Sequence, residues 1–125
     1  MKELTKAEEQ VMHILWGLKK GFLKDIIEGF PEPRPAYTTV STVIRVLTKK
    51  GFIEFKTYGK THEYAPAITK AEYFKSRVKP MISTYFDGSQ ARLASFFAHE
   101  SMNLSELEEV RQLIEQRIKK LKRKK

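Results

Sequence analysis

Thr39, Ser41, Thr42, Arg45 and Lys49 are interleaved with Val40, Val43, Ile44 and Leu47 in the stretch YTTVSTVIRVLTKKGF, residues 37–52. The apolar set recurs at three- and four-residue spacing, so on a helix it makes one face and the hydroxyl and basic set makes the other. Such an outer face has a particular chemistry. Short hydroxyl side chains let a helix lie close to base edges and phosphates, and an Arg reaches guanine N7 and O6 with two hydrogen bonds. Thr38, at the start of the same stretch, belongs with this set. Lys49 and Lys50 near the helix end, and Lys60 further along, suit phosphates, which position a protein without reading sequence. The bland alternative is a solvent face that merely tolerates Thr and Ser. The helix alone does not separate the two readings; its neighbours do.

Other chemistry finds little support. His13, His62 and His99 are far apart and share no ligand spacing, so no metal site is expected. There is no H-E-x-x-H, no G-x-x-x-x-G-K-[ST] and no G-x-S-x-G. Zero cysteines exclude disulfides, thiolate metal sites and a Cys nucleophile. The expectation is a non-enzyme without cofactors.

The elements that must position the outer face can be read in order. Thr5-Lys6-Ala7-Glu8 is a capping box that opens a first helix, about Thr5 to Trp16, with Val11, Ile14 and Leu15 inward. Gly17 and Gly21 punctuate, and LKDIIEGF supports a short second helix. PEPRP, residues 31–35, cannot be helical, because its three prolines remove donors and extend the preceding residues. The third helix is expected to begin at Thr38 or Thr39, capped by either hydroxyl, and to stop at Gly51. FIEFKTYGKTHEYAPAI then reads as a hairpin with Gly59-Lys60 at its tip. Helix, helix, Pro-rich turn, helix, hairpin is the order of a winged helix-turn-helix, whose third helix enters a DNA major groove.

The second half differs in character. Thr69-Lys70-Ala71-Glu72 repeats the capping box, and Tyr73, Phe74, Val78, Ile82 and Tyr85 suggest a helix interrupted or kinked at Pro80. Asp87-Gly88-Ser89 turns into another helix with Leu93, Phe96 and Phe97 inward. Ser105-Glu106-Leu107-Glu108 reads as a third capping box, followed by Leu107, Val110 and Ile114 on one face. Three such helices would struggle to enclose a core alone, so they are expected to close against a second copy. The expected organisation is a winged-helix DNA-binding domain over 1–68 and a helical dimerisation domain with a basic tail over 69–125, mainly α with a small β-hairpin wing.

Charge agrees with this division. The chain of 125 residues carries a net charge of +9, but RIKKLKRKK at 117–125 holds seven basic residues and leaves only +2 for the rest. Cations complement a helix C-terminus, so the tail reads first as a solvated helix end. The better indication is residues 36–60, where five basic residues face the single acid Glu54. No apolar run approaches the roughly 20 residues of a membrane helix and MKELTKAEEQ has no leader character, so a soluble cytoplasmic protein is expected.

With these stretches in view, the chain resembles the penicillinase and methicillin-resistance repressors of bacteria. The resemblance is carried by LTKAEEQVMHILW, TTVSTVIRVLTKKGFI, YGKTHEYAPAIT and YFDGS, in order and over nearly the whole length. It implies a homodimeric repressor of a double-stranded operator, with winged domains on the two halves of an inverted repeat. By position it implies that Thr39 and Thr42 approach bases and Lys60 the backbone. Some members of that family are switched off when a membrane-bound sensor protease triggers cleavage, commonly at an Asn-Phe bond; the matching segment ASFFAHE puts Phe96-Phe97 at that bond and lacks the Asn, which counts against derepression by cleavage here. Val46 stands where well-known members have an Arg, with Arg45 one position earlier, so the base contacts and the operator are expected to differ. The alternative is a winged-helix module that binds protein rather than specific DNA. The operator, the regulated genes and the inducing signal are not written in the chain.

Overall fold

The computed structural model describes residues 1–124; Lys125, the last residue of the basic tail, lies outside them. Two compact units are present, Met1–Val78 and a second from Lys79 onward. In the first, α1 (Lys6–Leu18) is followed by β1 (Gly21–Phe22), α2 (Leu23–Glu28), α3 (Tyr37–Lys49), β2 (Ile53–Tyr58) and β3 (Thr61–Pro66). The expected mainly α fold with a hairpin wing is present. The sheet is antiparallel in the order β1-β3-β2, with Gly21 opposite Tyr64 and Phe55 opposite Tyr64 from the other side. β1 was not legible: two residues are too short to show a period.

The core forms where α1, α2 and α3 turn their apolar faces together. Met12, Leu15, Ile26 and Leu47 have no exposed surface, and Val11, Val40, Ile44 and Phe52 almost none. Each such side chain contributes roughly 1.5–3 kcal/mol by leaving water. The Thr5–Glu8 capping box is formed, with Glu8 N–H donating to Thr5 Oγ1 at 3.2 Å and Thr5 N–H donating to Glu8 Oε1 at 2.9 Å. α1 continues past Gly17 to Leu18 and ends where Lys19 takes a φ of +72°. Gly51, φ +83°, lets the chain leave α3, and Gly59, φ +61°, makes the two-residue wing tip.

Three expectations are corrected here. α3 begins at Tyr37, one residue before Thr38, so Ala36 is the N-cap and no side chain caps the helix. The last helix is capped by Asn103 and Glu106 rather than by Ser105 and Glu108, because the helix starts at Leu104. Tyr73, grouped above with the dimerisation face, is instead a core residue. Its ring meets Phe52 and Trp16, its hydroxyl accepts the Leu4 N–H at 3.0 Å, and Trp16 Nε1 donates to Ile68 O at 2.8 Å. These contacts carry the first unit past Ile68 to Val78.

Pro80 does not interrupt α4 (Lys70–Phe86), since a proline withholds one N–H and leaves the rest of the ladder. After a turn in which Asp87 and Gly88 have positive φ come α5 (Gln90–Glu100), capped by Ser89, and α6 (Leu104–Arg123). Among the described residues none from Lys79 onward is buried.

One buried ion pair joins α1 to the end of α3. Glu8 is 5% exposed, and Lys50 Nζ donates to both its oxygens at 2.9 Å. Burial alone would raise the Glu8 pKa. The hydrogen bonds from Lys50 and Thr5 and the Lys50 charge outweigh it, and the carboxyl sits below its ordinary 4.5. A depressed folded-state pKa means the pair stabilises fully above the unfolded value and less as pH falls through the folded one. Glu8→Gln should therefore cost about 1–3 kcal/mol at pH 7, and the gap from the parent should narrow at pH 4. Urea unfolding at both pH values measures it; equal stability at pH 7 would remove this role for the pair.

Candidate nucleic-acid interface

α3 separates its two faces as its spacing requires. Val40, Ile44 and Leu47 are buried, Val43 is half-buried, and Thr38, Thr39, Thr42, Arg45 and Lys49 are exposed. Ser41, half-buried, turns toward the wing. The Thr42 hydroxyl donates to Thr38 O at 2.8 Å, so its lone pairs face outward as acceptors, suited to the amino group of adenine or cytosine.

The wing stands beside this helix and encloses two open clefts with it. One, about 370 Å³, is lined by Ser41, Arg45, Lys49, Phe55, His62 and Tyr64. The other, about 730 Å³, is lined by Ser41 and Lys60 together with Tyr37, Lys24, His62 and Tyr64. Ser41, Arg45, Lys49 and Lys60 are thereby gathered around one side of the unit. Lys50 is not among the free cations, because Glu8 holds it, and its expected phosphate role is withdrawn.

Tyr37, His62 and Tyr64 are the residues that sequence reasoning missed. His62 and Tyr64 share a sheet face with Phe55, since Thr57 is opposite His62 and Phe55 opposite Tyr64. Counting alternate residues back from the Gly59-Lys60 tip would have found both. The Phe55 and His62 rings lie 4.4 Å apart, and His62 Nδ1 is 3.1 Å from Thr57 Oγ1. Tyr64 has its phenol pushed up, first by burial and then by the neighbouring Tyr37, while the Arg45 charge acts the other way. Arg45 therefore lies within electrostatic reach of the wing.

Among the described residues no group of three or more His, Asp or Glu side chains is placed to hold a metal ion, and no helix is long and apolar enough to cross a membrane. Of the expected dimerisation residues, Phe74, Tyr85, Phe96 and Phe97 are exposed, as are Leu107 and Ile114. Val78, Ile82, Leu93 and Val110 are half-buried. Phe96 and Phe97 lie within α5, where the backbone is helical.

An exposed hydroxyl-and-basic helix, a short helix before it and a basic-tipped hairpin after it define a winged helix-turn-helix of the DNA-binding class. The chain belongs to the penicillinase repressor family, whose profile matches residues 4–116, and is a DNA-binding transcriptional repressor. It is 30% identical over 114 residues to the methicillin resistance regulatory protein MecI of Mammaliicoccus sciuri, covering 90% of this chain and 93% of that one. It is 20% identical to the penicillinase repressor of Bacillus licheniformis, covering 91% of each. The solved structure of RosR from H. salinarum shares the fold, with a TM-score of 0.52 at 17% identity over 94% of this chain and 96% of that one.

The Tyr64 environment can be checked directly. Tyr37→Phe should lower the Tyr64 titration midpoint and Arg45→Ala should raise it further, as followed by NMR across alkaline pH. A midpoint unmoved by both changes would mean that neither group faces the phenol.

Proposed function

We propose that the chain represses transcription as a homodimer, each N-terminal unit reading one half of an inverted-repeat operator. The observation that carries this reading is the outward aim of Thr39, Thr42 and Arg45 from a helix whose opposite side is sealed in the core. Thr38, Thr39, Ser41, Thr42 and Arg45 meet the major groove. Thr39, Thr42 and Arg45 contact base edges, and Lys49 and Lys60 contact phosphates. Half-sites lie about one helical turn apart, or a multiple of it, so that both recognition helices meet one face of the duplex.

The second unit supplies the dimer. Its apolar side chains at Tyr85, Phe96, Phe97, Leu107 and Ile114 are too exposed to be a finished surface, and a second copy would cover them. The relatives named as a resistance regulatory protein and as penicillinase repressors support repression as the mode of action, in the cytoplasm where the operator is. Derepression by a sensor protease acting at Phe96-Phe97 would require α5 to unwind there, because proteases take their substrates extended. The protein-binding alternative has no comparable support, since the family is one of DNA-binding repressors.

Fluorescence anisotropy with an operator selected from random DNA, and with an unrelated duplex, tests the reading across a salt series. Arg45→Ala should cost about 1–3 kcal/mol on the operator and little on the unrelated duplex. Lys60→Ala should weaken both and reduce the salt slope by about one, whereas Lys50→Met should leave the slope unchanged. Equal losses on both duplexes from Arg45→Ala would overturn base reading by that residue.

A further inference from the structure

α6 carries a pattern that specifies how it meets a copy of itself. Its apolar stripe is Leu107, Val110, Ile114, Ile118 and Leu121, so the members stand seven and four residues before Ile114 and four and seven after it. The spacing reads the same in both directions. The stripe is only partly covered within its own chain: Val110 is half-buried, while Leu107 is 36% exposed, Ile114 51%, Ile118 45% and Leu121 48%.

The charges beside the stripe reverse about the same residue. At 100° per residue, Glu106, Arg117, Lys120 and Lys124 border it on one flank, and Glu108, Arg111, Glu115 and Lys122 on the other. Two helices related by a two-fold axis perpendicular to both run antiparallel, and each flank then meets the same flank of the copy. Residues at equal distance from Ile114 on opposite sides come level, and contacts are reciprocal. On one flank Glu106 falls level with the stretch between Lys120 and Lys124. On the other, Glu108 comes level with position 120, two residues short of Lys122, and Arg111 with position 117, two residues beyond Glu115, offsets of about 3 Å that these long side chains can span. Each of these puts an acid within reach of a base, while Arg117 has no charged counterpart on its own flank. A parallel pair would instead bring the two lysine-rich ends together, where like charges repel. Within one helix Arg111 Nε is 3.8 Å from Glu115 Oε1, an exposed contact that leaves both groups able to reach a neighbour.

We propose that α6 pairs antiparallel with α6 of a second copy, with Ile114 on the two-fold axis. This rests on the homodimer reading and adds its orientation and register. Flanking charges set partner orientation in paired helices, and the palindromic stripe fixes the register.

The chain has no cysteine, which makes cross-linking clean. In the full-length protein, Ile114→Cys should form a disulfide-linked dimer on mild oxidation. Leu107→Cys alone and Leu121→Cys alone should not, but the two mixed and refolded together should. If each of the latter two cross-links by itself, the helices are parallel and the proposal is overturned; if sedimentation shows a dimer and none of the three cross-links, it is overturned as well. Either result leaves the homodimer standing, whereas a monomer in sedimentation overturns both.

Charge exchange gives a second measurement that does not rely on cysteines. Glu108→Lys and Lys122→Glu should each weaken the dimer about fivefold or more at low salt, since each pair occurs twice. The double variant should recover to within about threefold of the parent. Both changes oppose the helix macrodipole, so an effect confined to the single helix would accumulate in the double variant. Accumulation would overturn the pairing.

Discussion

A helix can present one side to a duplex only if its other side is held, and in this chain the holding is done by Val40, Ile44 and Leu47. These three are sealed against α1 and the start of the sheet, which fixes the rotation of α3 about its own axis. The Glu8–Lys50 pair adds a tether at the end of the helix. Hydrophobic contacts are non-directional, whereas a buried charged pair with three short hydrogen bonds on one carboxylate is tied to one geometry. Everything exposed on α3 takes its direction from these two constraints. The same arrangement engages with Glu8 a lysine that a count of charges would assign to DNA.

The N-terminal unit was largely legible in the chain because its signals are local. The Thr5–Glu8 box, the prolines between α2 and α3, Gly51 and the Gly59-Lys60 tip each act over a few residues, and each has its expected place. What was not legible depends on contacts distant in sequence. Tyr73 lies at helical spacing with Phe74 and Val78, and nothing nearby shows that its hydroxyl meets Leu4 or that its ring meets Phe52. Lys50 looks like Lys49 until α1 brings Glu8 beneath it. The start of α3 at Tyr37 defeats a rule of local chemistry, since Thr38 and Thr39 are good caps and neither is used.

The two units contrast in how they use apolar residues. The first encloses its large side chains, whereas the second leaves Leu113, Ile114, Ile118 and Leu121 in contact with water. A chain of this length could bury more than it does. If the proposed second copy covers these helices, folding of the second unit and association become one equilibrium, and stability there would depend on protein concentration.

The bare start of α3 has a thermodynamic meaning of its own. With Ala36 in the capping position, no side chain accepts a hydrogen bond from the first turn, which begins about 1 kcal/mol behind a turn opened by Ser or Asp. That turn carries Thr38 and Thr39. Left to water it is the part of the helix readiest to fray, and an oxygen arriving from outside would complete its ladder. Tightening of this end on engagement would then appear as an ordering entropy, subtracted from whatever affinity the contacts themselves provide.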